Sequence, residues 1–269
     1  MLNPVGDQVF ARVIVGTDGS ERALQAVPIA TQAAERFGCP VELVHVAADE
    51  DTADQDATGV RVVQAGDPAG GLVDLASATD PAGLLCLSSR GRRALGEAVF
   101  GSVTSGVLRT LHAPLLVVGP SVRPSLRPWR RILVCLDGSA RAATIVPPVT
   151  AWAHHLDLEV ELVHVSYPLG DPRSDYLQVP DEERSAVEQL RAAATQLEAA
   201  GVSVRWSVIE HTLAAEGITQ NADHSLSDVI ALATHGRTGL ARLIAGSVAL
   251  DVVRHATVPV LTLRPEHLR

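Results

Sequence analysis

The sequence predicts an α/β protein made of two doubly wound domains, each a five-stranded parallel sheet flanked by helices. One observation is an internal repeat: VELVHV at Val41–Val46 recurs letter for letter at Val160–Val165, an offset of 119 residues (160 minus 41). The other is that each half alternates short Val, Leu and Ile runs with longer Ala-rich amphipathic stretches, which is typical of βα units. A period near half of the chain indicates two like domains, because solenoid repeats span only about 20–50 residues.

The repeat extends over most of the chain, but its offset changes. VIVGTDGS at Val13–Ser20 returns as ILVCLDGS at Ile132–Ser139, whereas the loop that begins at Arg90 returns at His235, 145 residues later (235 minus 90). The second copy therefore carries 26 extra residues (145 minus 119) between its second strand and this loop. A chain of 269 residues suits two domains of about 100–150 residues each.

The apolar runs and the amphipathic stretches predict the elements in order. The first half has predicted strands near 12–17, 41–47, 60–65, 83–88 and 115–119 and predicted helices near 20–37, 68–79 and 101–111. The second half repeats this pattern with strands near 131–136, 159–165, 203–209, 228–233 and 259–264. Pro28 and Pro147 occupy matching positions inside the first helix of each half, where proline is expected to kink or break the helix.

The domain boundaries follow from these elements. We predict domains over residues 9–120 and 130–265, joined by residues 121–129, whose prolines among polar residues are typical of a semi-rigid linker. The second half adds a helix near 181–200, where the first half has only the acidic stretch 49–59. Because parallel sheets are normally covered on both faces, we expect one face of the first domain to be covered by the second domain or by another subunit.

Composition excludes several classes of function. The net charge of −9 and the 3% aromatic content argue against a nucleic-acid or anionic-membrane surface. The chain contains no lysine, so a P-loop lysine or a Schiff base is excluded. Cys39, Cys86 and Cys135 are scattered and predict neither a disulfide framework nor a zinc site. The amino terminus lacks a signal-peptide pattern and no apolar run approaches about 20 residues, so we expect a cytoplasmic protein.

The strongest chemical signal is a loop that ends at a helix start in each half. Nine residues separate Gly91 from Gly101–Ser102, and nine separate Gly236 from Gly246–Ser247. A glycine before a helix lets backbone N–H groups approach an anion closely, which favours phosphate, although Gly-Ser is also an ordinary helix N-cap. Arginines, suited to phosphate oxygens or to solvent, surround these loops: Arg90, Arg92, Arg93, Arg237 and Arg242.

Acidic residues follow the first strand of each half. Asp18 and Asp137 lie at the carboxyl ends of these strands, where ligands bind in doubly wound sheets, but Asp-Gly-Ser is also a common turn and helix cap. His45 and His164 lie within apolar strands and are interpreted as core histidines. No G-x-S-x-G elbow, H-E-x-x-H or paired-carboxylate motif is present, so no catalytic residue is predicted.

The combined pattern resembles the universal stress protein family. The resemblance rests on five segments: Asp-Gly-Ser after the first strand, Val-His-Val in the second, the loop at Ser89–Arg92, the Gly-Ser that follows, and the closing Ala113–Val118. The resemblance covers nearly the whole chain as a tandem of two domains. It implies a Rossmann-like sheet of order 3-2-1-4-5 in each domain, ATP between strands one and four, and phosphates on the Gly-Ser loop, with the participation of Mg²⁺ left open.

The resemblance also implies two sets of nucleotide-binding residues. The first-domain set is Thr17, Asp18, Val46, Ser88, Gly91, Gly101, Ser102 and Val103. The second-domain set is Asp137, Val165, Ala233, Gly236, Gly246, Ser247 and Val248. Three positions depart from the family pattern, because Ser88 and Ala233 replace its first glycine and Leu136 replaces the polar residue found as Thr17.

The implied function is that of a nucleotide-responsive regulator of stress resistance or growth, with at most slow ATP hydrolysis. The expected partner is an adenine nucleotide, with no nucleic acid and no membrane. The two domains would pair within the chain, and further pairing into a homodimer is left open. One alternative is an interaction module of the same fold that no longer binds nucleotide. Another is an adenylate-transferring enzyme, but the Ser-Gly-Gly-x-Asp-Ser loop expected of it is missing.

Overall fold

All ten predicted strands are present, and they form one continuous sheet. The computed structural model describes residues 9–47, 59–89, 101–125, 127–167, 181–234 and 247–265. The strands of the first half are β1 (Val13–Gly16), β2 (Val41–Ala47), β3 (Val60–Gln64), β4 (Leu84–Ser88) and β5 (Leu115–Val118). Those of the second half are β6 (Arg131–Cys135), β7 (Glu159–Ser166), β8 (Val204–Glu210), β9 (Val229–Ala233) and β10 (Val260–Leu263).

The strand order is β3-β2-β1-β4-β5-β10-β9-β6-β7-β8. Each half contributes five parallel strands, as predicted, and the two sets join edge to edge through an antiparallel pair of β5 and β10. Val117 lies opposite Val260 in this pair, and Leu115 lies opposite Thr262. The sequence did not predict this junction, which turns two five-stranded sheets into a single ten-stranded one.

Helices cover both faces of the sheet. They are α1 (Glu21–Leu24), α2 (Ala26–Phe37), α3 (Pro68–Ser77), α4 (Ser102–Thr110), α5 (Ala140–Ala143), α6 (Val146–Leu156), α7 (Asp181–Ala199), α8 (Ala214–His224) and α9 (Ser247–His255). One core lies beneath α2, α5, α6 and α7, and the other beneath α3, α4, α8 and α9. No helix among the described residues has the length and apolar character needed to cross a membrane.

The first helix of each half is interrupted near its proline, as predicted. In the first half α1 ends at Leu24 and α2 begins at Ala26, two residues before Pro28. In the second half α5 ends at Ala143 and α6 begins at Val146, directly before Pro147. Proline fits the first turn of a helix because its missing N–H has no helical partner there. Each proline therefore lies where a new helix starts.

An aromatic cluster joins the two halves on one face of the sheet. The ring of Phe37 on α2 packs edge-on against that of Trp152 on α6, with centroids 4.9 Å apart. Phe10 lies edge-on to both rings, and Trp129 stacks on Trp152 at 6.2 Å. Trp129 is only 3% exposed, so the end of the predicted linker is part of the core. Together with the β5–β10 pair, this cluster holds the halves against each other.

We expected the second half or another subunit to cover one face of the first domain, and the strand order places the second half elsewhere. β2 and β3 lie at the end of the sheet farthest from the second half, which meets the first at β5 and α2. In the second half α7 covers β7 and β8 with Leu190, Ala193 and Leu197. Val160 and Leu162 on β7 are fully buried beneath it, whereas the equivalent Val41 and Leu43 on β2 are only partly buried.

Candidate functional site

A cavity of about 210 Å³ opens at the carboxyl ends of β1, β2 and β4 in the first half. This volume is more than tenfold the roughly 10–15 Å³ that one water needs, so the cavity has room for an organic group. It lies where the strand order reverses between β1 and β4, the position at which doubly wound sheets bind ligands. Its lining consists of Gly16, Thr17, Asp18, Ser20, Arg22, Ala23, Val44, His45, Val46, Pro68, Leu72, Leu87, Ser88, Gly101, Val103 and Thr104.

The loop after β1 forms one wall and is held by its own side chains. The Oγ1 atom of Thr17 accepts a hydrogen bond from the backbone N–H of Gly19 at 3.0 Å. Asp18 Oδ1 accepts from both the backbone N–H and the hydroxyl of Ser20, at 3.1 and 2.6 Å. Ser20 Oγ in turn caps α1 by accepting from the N–H of Ala23 at 3.2 Å. Asp18 therefore shapes the turn, which confirms the turn-and-cap interpretation without testing its role toward a ligand.

The same turn recurs in the second half with one difference. Asp137 Oδ1 accepts from the N–H and hydroxyl of Ser139 at 2.9 and 2.6 Å, as Asp18 does from Ser20. Leu136 has no hydroxyl to offer the next glycine, and the N–H of Gly138 bonds instead to Gln189 Oε1 on α7 at 3.0 Å. The N–H of the turn glycine is thus satisfied in both halves, by a neighbouring side chain in the first and by a side chain of α7 in the second.

The first turn of α4 closes the opposite side of the cavity. Its N-cap is Gly101, which makes no side-chain capping bond, unlike Ser20 before α1 and Asp67 before α3. The first N–H groups of a helix have no helical partners and carry partial positive charge, so an uncapped start is suited to an anion. Gly101 and Val103 line the cavity, and this end is consequently the part of the site best suited to phosphate.

Ser88 joins α4 to the end of β4. Its carbonyl oxygen accepts a hydrogen bond from the hydroxyl of Thr104 at 3.3 Å. Among the described residues, its own hydroxyl oxygen is buried and has no hydrogen-bond partner. A buried polar group without a partner is uncommon in native proteins, so a hydroxyl left in this way beside a cavity is available to a ligand after a change of rotamer.

His45 lies at the cavity rather than wholly within the core, which differs from our interpretation. Its Nδ1 is 2.8 Å from the carbonyl oxygen of Thr17, and the residue is half-buried. Because a carbonyl only accepts hydrogen bonds, Nδ1 carries the proton. Strand position alone suggested a core residue, since the pocket-facing side of β2 is as apolar as the core.

Six of the predicted first-domain residues line the cavity, namely Thr17, Asp18, Val46, Ser88, Gly101 and Val103. Ser102 begins α4 with an exposed side chain and is not among the lining residues. Gly91 and the flanking arginines Arg90, Arg92 and Arg93 lie outside the described residues.

Those of the predicted second-domain residues that the structure describes lie at the matching edge of the sheet. Asp137 follows β6, Val165 is near the end of β7, Ala233 ends β9, and Val248 is in the first turn of α9 with 40% exposure. Ser247 begins α9, whereas Gly236, Gly246, Arg237 and Arg242 lie outside the described residues.

Sequence reasoning missed several lining residues. Arg22 on α1 is the one arginine in the described lining, where it places positive charge near the cleft. Pro68 and Leu72 lie in the first turns of α3, which Asp67 caps shortly after β3 by accepting from the N–H groups of Ala69 and Gly70. The pair Asp67–Pro68 is a typical helix start, and it is the sequence signal that could have placed α3 at the cavity.

The described residues offer neither a metal centre nor an activated thiol. Within this part of the chain, no group of three or more His, Cys, Asp or Glu side chains is placed to hold a metal ion. Cys86 is buried on β4, and burial raises the pKa of its thiol far above the usual range. A thiol with a raised pKa is a poor nucleophile, so Cys86 is a structural residue.

The sequence matches the universal stress protein family model over residues 10–60, 48–119 and 128–264. It is 25% identical over 193 residues to a universal stress protein of Mycolicibacterium smegmatis, a match that covers 71% of this chain and 65% of that protein. A universal stress protein of Mycobacterium tuberculosis is 26% identical over 200 residues, with 71% and 61% covered. The chain therefore spans less than two thirds of the length of these relatives.

Solved structures share the fold over nearly the whole chain. A universal stress protein from Archaeoglobus fulgidus has a TM-score of 0.64 at 18% identity, covering 95% of this chain and 98% of its own. A functionally unknown protein from Pseudomonas aeruginosa has a TM-score of 0.67 at 17% identity, covering 97% and 95%. The tandem arrangement of two like halves is thus found in other proteins of this fold.

Proposed function

Because this chain belongs to the universal stress protein family, we propose that it binds ATP and acts as a nucleotide-responsive regulator, with at most slow ATP hydrolysis. The observation that carries the proposal is the uncapped start of α4 at Gly101, which opens on a cavity at the switch point of the sheet. A helix start of this kind favours a phosphate, and the apolar remainder of the cavity favours a flat base.

The first-half cleft offers suitable residues to the base, the ribose and the phosphates of a nucleotide. Val46, Leu72 and Leu87 offer apolar surface to a base. Thr17 and Asp18 lie on the wall where base and ribose would meet, and the hydroxyl of Ser88 offers a hydrogen bond to the sugar-phosphate end. Arg22 adds a positive charge that suits an anionic ligand. These groups bind and orient; none of them is placed as an activated nucleophile.

Slow hydrolysis follows from what phosphoryl transfer requires. Rapid transfer needs positioned positive charge and an oriented nucleophile around the phosphate. The chain has no lysine, and among the described residues that line the cleft Arg22 is the one arginine. Binding that changes the protein's interactions is therefore a better-supported role than turnover.

The test is isothermal titration calorimetry with ATP, AMP and adenosine, beside the variants Gly101→Asp and Gly101→Asn. Both side chains are good N-caps, so both variants should keep or raise the stability of α4. We expect saturable binding to the wild-type protein, with ATP tighter than adenosine. Only the Asp side chain brings negative charge to the phosphate end, so Gly101→Asp should weaken ATP binding at least tenfold more than Gly101→Asn.

Two outcomes would contradict the proposal. No binding of any adenine nucleotide at millimolar concentration, by calorimetry and by thermal shift, would favour an interaction module that has lost its ligand. Equal ATP affinity of Gly101→Asp and Gly101→Asn would remove the start of α4 from the binding site. A thermal-shift series is a suitable second measurement, because a ligand that binds only the folded state stabilises it by RT ln(1 + [L]/Kd).

A further inference from the structure

Gly19 and Gly138 occupy equivalent places in the two halves, but their N–H groups have different partners. Gly19 donates to the hydroxyl of Thr17, two residues earlier. Gly138 donates to Gln189 Oε1, which α7 brings from 51 residues away. Leu136 stands where Thr17 stands in the first half, so the second half lacks the local acceptor and has another in its place.

α7 makes further contacts with the same turn. Gln189 Nε2 donates to the carbonyl oxygen of Ser139 at 2.6 Å, and the Ser185 hydroxyl donates to the carbonyl oxygen of Gly138 at 3.2 Å. A Cβ at Gly138 would lie 3.0 Å from the backbone nitrogen of Ala186, whereas a Cβ at Gly19 would meet nothing within 4 Å. The helix therefore lies directly against the turn.

These contacts order the turn that carries Asp137. In the first half the equivalent residues Asp18, Gly19 and Ser20 are exposed, while Asp137, Gly138 and Ser139 are half-buried. A ligand that meets an ordered turn loses less conformational entropy on binding than one that must order it. The Gln189 amide is well suited to this task, because one side chain supplies both an acceptor and a donor.

We propose that Gln189 is a positioning residue for a second nucleotide-binding cleft, in the second half, and that it does for Gly138 what Thr17 does for Gly19. This inference rests on the proposed function, because the ligand is the same adenine nucleotide. It goes further in naming the residue that replaces the Thr17 hydroxyl where Leu136 stands, and in predicting that nucleotide binding by the two halves depends on different residues.

The test is calorimetry and stopped-flow nucleotide release with ATP, on the full chain. Gln189→Ala should weaken one of two ATP sites about 3- to 10-fold, the effect of one or two lost hydrogen bonds, and speed release from that site alone. Thr17→Val should weaken the other site. Gln196→Ala is the matched control, since Gln196 lies exposed on the same helix away from the turn and should change neither site.

A rescue experiment separates positioning from a general effect on α7. Adding Leu136→Thr to Gln189→Ala recreates the first-half device, so it should recover most of the lost affinity without restoring any contact of α7. The helix itself stays anchored through the buried Leu190 and Leu197, and circular dichroism checks this in each variant.

The outcomes distinguish the two proposals. If the wild-type protein binds no adenine nucleotide, the proposed function fails and this inference fails with it. If it binds ATP and Gln189→Ala leaves every site unchanged, or if a single site responds to Thr17→Val alone, this inference fails while the proposed function stands. Failure of Leu136→Thr to rescue would likewise overturn the role assigned to Gln189.

Discussion

His45 Nδ1 lies 2.8 Å from the carbonyl oxygen of Thr17, and this contact ties the second strand of the sheet to the residue that opens the ligand-facing turn. The second half repeats it, with His164 Nδ1 at 2.9 Å from the carbonyl oxygen of Leu136. Both contacts span 28 residues in the chain. The bond is made to the backbone, so it persists although the side chain at the partner position changes from Thr to Leu.

Replacing His45 should therefore loosen the turn. His45→Leu leaves the Thr17 carbonyl without this donor, which we expect to lower the free energy of unfolding by about 1–2 kcal/mol. The variant should also weaken ATP binding, because Thr17 and Asp18 line the cavity. Urea unfolding and calorimetry measure the two effects.

His45→Asn is the control for this prediction. The Asn amide nitrogen can occupy nearly the same place as Nδ1, so this variant should keep most of the stability and affinity that His45→Leu loses. Equal behaviour of the two variants would show that the hydrogen bond to Thr17 is not what His45 contributes.

Glu161 on β7 is a nearly buried carboxylate, 6% exposed, that relies on a few partners. Arg205 donates to its Oε2 through Nε and Nη2 at 3.1 and 2.5 Å, and Asn221 donates to Oε1 at 3.1 Å. Removing one partner of a buried charge is more costly than the pair is stabilising, because the remaining charge stays desolvated. The Arg205 side chain is 54% exposed, which moderates the effect.

We expect Arg205→Ala to lower the free energy of unfolding by about 2 kcal/mol. The matched variant in the first half is Arg61→Ala, since Arg61 pairs with Glu42 at 2.7 Å. Glu42 is more exposed and keeps Arg12 at 3.0 Å, so this loss should be about 0.5 kcal/mol. Chemical denaturation compares them, and equal losses would contradict the role of burial.

The elements were predictable because local patterns encode them. Apolar runs such as Leu84–Leu87 and Ile132–Val134 are buried strands, and the alternation with Ala-rich stretches fixes the parallel order of βα units. The first-half cleft was predictable for a related reason, since Asp18 and Gly101 lie at strand and helix ends, where a parallel sheet collects its loops.

What escaped prediction depends on contacts between distant segments. Gln189 is one polar residue on an amphipathic helix, and nothing in its neighbourhood marks it as the partner of Gly138. The β5–β10 pairing was not predicted for a similar reason. A strand at the edge of a sheet and a strand paired on both sides can have equally apolar sequences, so the sequence does not show which edges meet. His45 was misplaced because a half-buried cavity wall and a core share one hydropathy pattern.

Gly119, directly after β5, shows how closely the halves approach at that junction. A Cβ built at this position would lie 2.0 Å from the carbonyl oxygen of Val253 in α9 and 3.1 Å from its carbonyl carbon. Both are backbone atoms of a buried helical residue, so neither can move aside without displacing α9. Only glycine fits between the two halves here.

Gly119→Ala should consequently lower the free energy of unfolding by about 3 kcal/mol, because overpacking against backbone has no cheap relaxation. Gly66→Ala is the control, since a Cβ there meets nothing within 4 Å, and its effect should stay within about 0.5 kcal/mol. The clash lies where the two halves meet, so Gly119→Ala should also broaden or split the urea transition as the halves lose their coupling. A Gly119→Ala protein that unfolds like wild type, in one transition, would mean that the halves do not meet at Val253.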